Sequence, residues 1–172
     1  MESVRGLHYI DQYISNIDEK NIIDFLKEKD WKLDEKRKFL EYRYDNKNSD
    51  SDSIPIFLKE LSEKISKKFQ KNFDQIIISQ NPKGHGISSH IDNTKLFGDT
   101  VVILTLNDNC MMKFENDKNN ILVSIKKNGM IMMEGDARYK WKHSILSYKK
   151  GFDFNKANTW INITFRCTNK DI

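Results

Sequence analysis

His90 and Asp92 sit two apart in the run Ser88-Ser89-His90-Ile91-Asp92. On an extended strand, residues i and i+2 point to the same face, so one imidazole and one carboxylate would converge there. A second histidine, His143, closes the run Arg138-Tyr139-Lys140-Trp141-Lys142-His143. Two histidines and one carboxylate can hold a non-haem Fe(II) on one side and leave coordination positions open on the other. A His-x-Asp pair alone is weak evidence, because 172 residues with 4 histidines make chance pairs easy, and a polar pair on a surface loop is the bland alternative. The closing stretch strengthens the metal reading. Trp160, Asn162, Thr164 and Arg166 share one strand face, while Ile161, Ile163, Phe165 and Cys167 share the other. A strand that is apolar toward a core and polar toward a cavity suits a site built inside a β-sandwich or barrel.

The elements that must position these residues are legible in outline. Residues 1–14 read as a short strand or loop. Asn16 or Asp18 can cap a helix to about Lys29, with Ile22, Phe25 and Leu26 as its apolar stripe. Residues 38–44 partly alternate and suggest a strand, and the polar run 45–53 reads as a mobile loop. Pro55 suits the first position of a second helix to about Lys71, with Leu58, Leu61, Ile65 and Phe69 on one face. From residue 75 the pattern changes to short strands, near 75–80, 87–92, 100–106, 111–115, 121–126, 130–134, 138–145 and 160–167. Asn128-Gly129 between two apolar runs predicts a hairpin. The expected fold is α+β with a mostly β core, a jelly roll, on which the two N-terminal helices pack. One domain over 1–172 is expected, with helices and a lid region in 1–74 and the jelly-roll core in 75–172.

Composition narrows the class. Charged residues make up 31% and mean hydropathy is −0.70, as in soluble chains. The N-terminus lacks an apolar core for a signal peptide, and no apolar run is long enough to span a bilayer. The 2 cysteines, Cys110 and Cys167, have no paired metal-binding spacing and fit a reducing compartment. An intracellular monomer, cytoplasmic or nuclear and not secreted or membrane-bound, is therefore expected. The net charge of +4 is compatible with a polyanionic partner such as nucleic acid, and equally with an ordinary lysine-rich surface.

Several stretches together resemble the AlkB-like Fe(II)- and 2-oxoglutarate-dependent dioxygenases. Gly6 to Ile14 resembles the family's opening segment, and Lys36-Arg37 before Tyr42 and Tyr44 its basic-then-aromatic strand. Gly84 to Asp92 is similar to the iron motif, and Phe97 to Leu106 to the strand after it. Gly135 to His143 is similar to the distal-histidine motif, and Asn162-Ile-Thr-Phe-Arg166 to the closing motif. The wording around His143 is nearest the tRNA wobble-uridine hydroxylase branch. The resemblance implies a double-stranded β-helix, with His90, Asp92 and His143 as iron ligands and Arg166 and Asn162 toward 2-oxoglutarate. It implies Fe(II), 2-oxoglutarate and O2 as the reacting set, hydroxylating a C–H bond; on an N-methyl group the product collapses to formaldehyde and the demethylated base. Arg138, Tyr139 and Trp160 are candidate contacts to a base, by charge and stacking.

The sequence departs from the family at the cosubstrate. Where relatives usually carry Asn and Tyr ahead of the first iron histidine, this chain has Ser79 and Asn81. Where the closing motif usually begins with the Arg that pairs with the far carboxylate of 2-oxoglutarate, it has Trp160. Lys113, Arg138, Lys140 and Lys142 are candidate substitute cations, and Arg138 divides evenly between substrate contact and structural support. The leading reading is an oxygenase acting on nucleic-acid bases, RNA more than single-stranded DNA. A protein side-chain hydroxylase and a non-catalytic AlkB-like binding module are the alternatives.

Overall fold

The computed structural model describes residues 4–33, 37–43, 54–82, 84–146 and 159–169. Lys36, Tyr44 and the polar run 45–53 fall outside that set.

Helix α1 spans Asn16–Lys27. Ser15, rather than Asn16 or Asp18, is its N-cap; the Ser15 side chain accepts from the Asp18 amide while the Asp18 carboxylate accepts from the Ser15 amide. This reciprocal capping satisfies two helix-end donors at once. Helix α2 spans Ile56–Phe69 and starts directly after Pro55. The stripes Ile22–Leu26 and Leu58–Leu61–Ile65 are buried as their spacing requires.

Among the described residues there are eleven strands, in chain order β1 Leu7–Ile10, β2 Lys32–Leu33, β3 Lys38–Arg43, β4 Gln75–Pro82, β5 Ile87–His90, β6 Phe97–Leu106, β7 Cys110–Glu115, β8 Asn120–Ile125, β9 Met130–Met133, β10 Lys142–Ile145 and β11 Thr159–Thr168. They form a seven-stranded sheet, ordered β1-β9-β6-β11-β4-β3-β2, and a four-stranded sheet, ordered β5-β10-β7-β8. Every pairing is antiparallel, which gives the expected jelly roll. The large sheet has a core on each face. Ile76, Ile78, Leu104, Ile161, Ile163 and Phe165 pack under α1 and α2. Val101, Ile103, Met112, Phe114, Ile131 and Ile145 fill the space between the sheets. The alternation of β11 thus divides the helix-side core from the sandwich interior. No helix among the described residues is long and apolar enough to cross a membrane.

Two local expectations need correction. Residues 138–145 are not one strand: a short helix, α3, spans Gly135–Tyr139, and β10 starts at Lys142. Gly135 takes a positive φ of 51° at the turn into α3, and the Ala137 amide donates to the Arg5 carbonyl. Long-range contacts here outweigh the alternating pattern. Asn128-Gly129 is a tight turn but not a hairpin. It carries the chain from β8 in the small sheet to β9 in the large one, where β9 pairs with β6 and β1. Asn128 adopts the left-handed φ of 66° and exchanges backbone bonds with Thr105 through Asn128 N–H and Gly129 C=O. A Cβ on Gly129 would lie 2.8 Å from the Lys126 carbonyl oxygen, so the close approach excludes a side chain. A hairpin does join β7 to β8 through Asn116–Asn119, whose ends close with Asn116 N–H donating to Asn119 C=O.

Candidate metal and cosubstrate site

Strand pairing brings the two histidines together. His143 on β10 lies directly opposite His90 on β5, with ring centroids 4.4 Å apart. Asp92 follows β5 immediately. One ligand atom from each of the three lies within 4.8 Å of the others, so a single ion could bind all three. The His90 Nδ1 is 2.7 Å from the Ser88 carbonyl oxygen. A carbonyl only accepts, so Nδ1 carries the proton and Nε2, on the Asp92 side, keeps its lone pair for a metal.

The charge states suit that task. Burial disfavours ionisation of Asp92, but His90, Arg166 and His143 outweigh it and hold the carboxyl below the usual carboxylate range. Burial and the neighbouring His90 push His143 down to about 4, so its imidazole is neutral at neutral pH. The Asp92 carboxylate raises His90, against the opposing effect of burial. The outcome is an anionic oxygen beside one neutral imidazole, His143, and a second, His90, that must shed any extra proton as it binds; with that loss the set has the donor chemistry of a divalent iron site.

Two arginines hold Asp92. Arg166 on β11 donates from Nη2 to Oδ1 at 3.1 Å and from Nε to Oδ2 at 3.4 Å. Its Nη1 donates to Gln75 Oε1 at 3.2 Å, and Phe97 lies 4.7 Å beneath the guanidinium. Arg138 is 3% exposed. It donates to three carbonyls: Asp92 at 2.9 Å, Gly98 at 3.0 Å and Phe97 at 3.1 Å. It therefore braces both ends of the loop between β5 and β6 that carries Asp92, which is structural support.

The three possible ligands open onto a cavity of about 60 Å³ between the sheets. Besides the triad, Arg166, Asn162, Thr164, Ser144, Ser79 and Arg37 supply its polar lining; Ile87, Ile103, Met112 and Ile145 supply the apolar part. Asn162 accepts from the Thr105 hydroxyl at 3.2 Å. Asn81 is on the same face of β4 as Ser79 and is buried, and its Nδ2 has no hydrogen-bond partner among the described residues.

The remaining candidates are placed elsewhere. Trp160 shares the inward parity of β11 but is 4% exposed and packed in the inter-sheet core, so its indole is not presented for stacking. Tyr139 is exposed, with the Arg138 guanidinium 5.1 Å from its ring. None of the four candidate substitute cations lines the cavity: Lys113 pairs with Glu115, Lys140 with Asp136, Lys142 is exposed, and Arg138 is committed to carbonyls. The cation that does line it beside Arg166 is Arg37, whose Nη1 donates to Ser79 Oγ at 3.3 Å. Its signal in the sequence was the basic residue just ahead of an aromatic strand. Its role depends on β3 pairing with β4, which sets Phe39 opposite Ser79 and gives Arg37 the same facing.

The residues present fit a metal with a dicarboxylate cosubstrate. Two guanidiniums line the cavity that holds the triad, and an orphaned buried amide donor lies on the strand bearing Ser79. A jelly roll with a His-Asp-His cluster inside its sandwich defines a class of iron-dependent oxygenases. The chain belongs to the 2OG-Fe(II) oxygenase superfamily, whose pattern matches residues 8–166, and within it the chain is AlkB-like. It is a dioxygenase whose reacting set is Fe(II), 2-oxoglutarate and O2. Uncharacterized protein L905 of Acanthamoeba polyphaga mimivirus is 26% identical over 180 residues, covering 96% of this chain and 86% of that one. The tRNA (carboxymethyluridine(34)-5-O)-methyltransferase ALKBH8 of Macaca fascicularis is 29% identical over 175 residues. That match covers 89% of this chain but 26% of the macaque protein, so the two share one part only. The solved structure of OsALKBH1 has the same fold, with a TM-score of 0.67 at 14% identity, covering 96% of this chain and 100% of that one.

Proposed function

We propose that the protein oxidises a nucleic-acid base, by hydroxylation or oxidative N-demethylation, with RNA preferred over DNA. The observation that carries this reading is the convergence of His90, Asp92 and His143 on one cavity edged by Arg37 and Arg166. The macaque relative, named for a tRNA uridine modification, supports the substrate class. In this reading His90, Asp92 and His143 hold Fe(II), and Arg166 fixes the Asp92 carboxylate in its ligating orientation. Arg138 keeps the loop behind Asp92 from shifting. Ile87, Ile103, Met112 and Ile145 exclude water from the inner wall, which protects a reactive oxidant from wasteful side reactions. When bound, Fe(II), 2-oxoglutarate and O2 supply the oxidation itself, while the chain contributes binding, orientation and exclusion.

The test is to incubate the Fe(II)-loaded protein with 2-oxoglutarate, O2 and RNA or DNA oligonucleotides bearing methylated bases or modified wobble uridine. The expected result is succinate formed in step with oxidised or demethylated base, faster on RNA. Succinate that depends on a peptide and not on any oligonucleotide would move the protein to the side-chain hydroxylases. A companion prediction follows from the excess of lysine and arginine. Affinity for single-stranded RNA, read by fluorescence anisotropy, should fall steeply as salt is raised, because phosphate contacts release bound counterions. Salt-independent binding would rule out a phosphate-led mode.

A further inference from the structure

We propose that Gln75 and Glu41 are positioning residues for the metal site: acting through Arg166, they fix the carboxylate of Asp92 from outside the cavity. The inference rests on the reading of His90, Asp92 and His143 as the metal site and is independent of which polymer is oxidised.

Strand register sets these side chains in one row. Gln75, the first residue of β4, lies opposite Arg43 on β3 and opposite Arg166 on β11. Glu41 is two positions from Arg43 and so shares its face of β3. A neutral amide thus stands between two guanidiniums, and Glu41 supplies the anion of the row. Glu41 Oε1 accepts from Arg43 Nε at 2.8 Å and from Gln75 Nε2 at 2.8 Å. Gln75 Oε1 in turn accepts from Arg166 Nη1 at 3.2 Å. Arg166 then delivers Nη2 and Nε to the two oxygens of Asp92, at 3.1 and 3.4 Å. A continuous chain of hydrogen bonds therefore runs from Arg43, whose side chain is 61% exposed, to a buried metal ligand.

The chemistry of the end groups permits one direction. A carboxylate only accepts and a guanidinium only donates. The buried Gln75 amide satisfies both only with its nitrogen toward Glu41 and its oxygen toward Arg166. The turned amide would set an NH2 against a guanidinium and an oxygen against a carboxylate, where no water compensates. Burial disfavours the Glu41 charge, but Gln75 and Arg43 outweigh it and hold the carboxyl below its ordinary range. The group at the head of the chain thus remains an acceptor at neutral pH. Gln75 claims Nη1 of Arg166 and leaves the Nε–Nη2 edge to grip Asp92 as a fork. Without that claim the guanidinium is free to turn, and Asp92 loses the fixed orientation that suits it to a metal.

The test is a calorimetric titration of Mn(II) into the full chain, without cosubstrate, nucleic acid or turnover. The proteins are the wild type, Gln75→Met, Glu41→Leu, Glu41→Gln and the double variant Gln75→Met with Glu41→Leu. Metal-free Tm is recorded for each, and the titrations are run well below it. Gln75→Met keeps the length and removes the amide. Its Mn(II) affinity should fall about tenfold, the low end of what losing a partner that orients a ligand costs. Glu41→Leu should lose a similar factor, because the Gln75 amide is then free to turn. Glu41→Gln should keep an affinity close to that of the wild type, since its carbonyl still accepts from Gln75. The double variant should bind no more weakly than Gln75→Met, because both changes act through the one bond to Arg166. The Glu41 pair decides the matter even where the burial of Gln75 keeps Gln75→Met from folding. Three outcomes would overturn the proposal: a fall in Tm with Mn(II) affinity unchanged in Gln75→Met and Glu41→Leu, which would make the pair purely structural; equal losses in Glu41→Gln and Glu41→Leu; or losses that multiply in the double variant. A wild type that binds no Mn(II) would remove the metal reading itself, whereas wild-type binding that the variants leave untouched removes the relay alone.

Discussion

Replacing His143 with alanine abolishes tight binding of Fe(II) or Mn(II). His143 contributes one of three ligand atoms gathered within 4.8 Å, and its neighbours His90 and Asp92 cannot close the gap alone. Loss of a partner that merely orients a ligand already costs about 10–100-fold in metal affinity, so loss of a ligand should cost roughly 100-fold or more. Calorimetric titration of metal into the variant checks this, and unchanged affinity would remove His143 from the site. His143→Ala is a cleaner probe than Asp92→Ala. The His143 ring is neutral at neutral pH, so its removal strands no charge. Removing the Asp92 carboxylate would leave Arg166, with 14% side-chain exposure, without its anionic partner, and the fold would suffer along with the site.

Arg138→Met should destabilise the protein by about 3 kcal/mol. Three carbonyl acceptors lose a charged donor at once, each such bond being worth about 1.5–3 kcal/mol, while the relief of a buried guanidinium's desolvation offsets part of the loss. Burial itself opposes the Arg138 charge, whereas Asp92 supports it. For a chain of this size the expected fall in Tm is about 6–12 °C. Metal affinity should weaken as well, because the carbonyls that Arg138 clamps belong to Asp92 itself and to the far end of its loop. Thermal unfolding with and without Mn(II) reads both effects. An unchanged Tm accompanied by loss of RNA binding would make Arg138 a substrate residue instead of a brace.

The sequence alone determined what depends on neighbours along the chain. His90 and Asp92 were legible as a pair because strand parity needs only two positions. The faces of α1, α2 and β11 were legible because periods of 3.6 and 2 are printed in the apolar residues. Recognition of the family also came from local motifs, Gly84 to Asp92 and Gly135 to His143 above all.

What the sequence left open were the partners of those faces. Parity placed Trp160 on the inward side of β11, but only the packing of the second sheet decided that inward there means core and not cavity. Asn128-Gly129 signalled a turn, yet whether β9 folds back on β8 or crosses to β6 is settled by pairing energy across distant strands. Arg138 sat in an alternating run, and the carbonyls of a loop about forty positions earlier drew it into a helix and inward. Arg37 was visible only as a basic residue before a strand. Its place in the cavity exists because β3 adds to the edge of β4 in one register, carrying a long flexible side chain to a hydroxyl that sequence distance conceals. Side-chain periodicity is a property of the backbone and can be read locally, whereas the environment that a side chain meets is set by which distant strands pair.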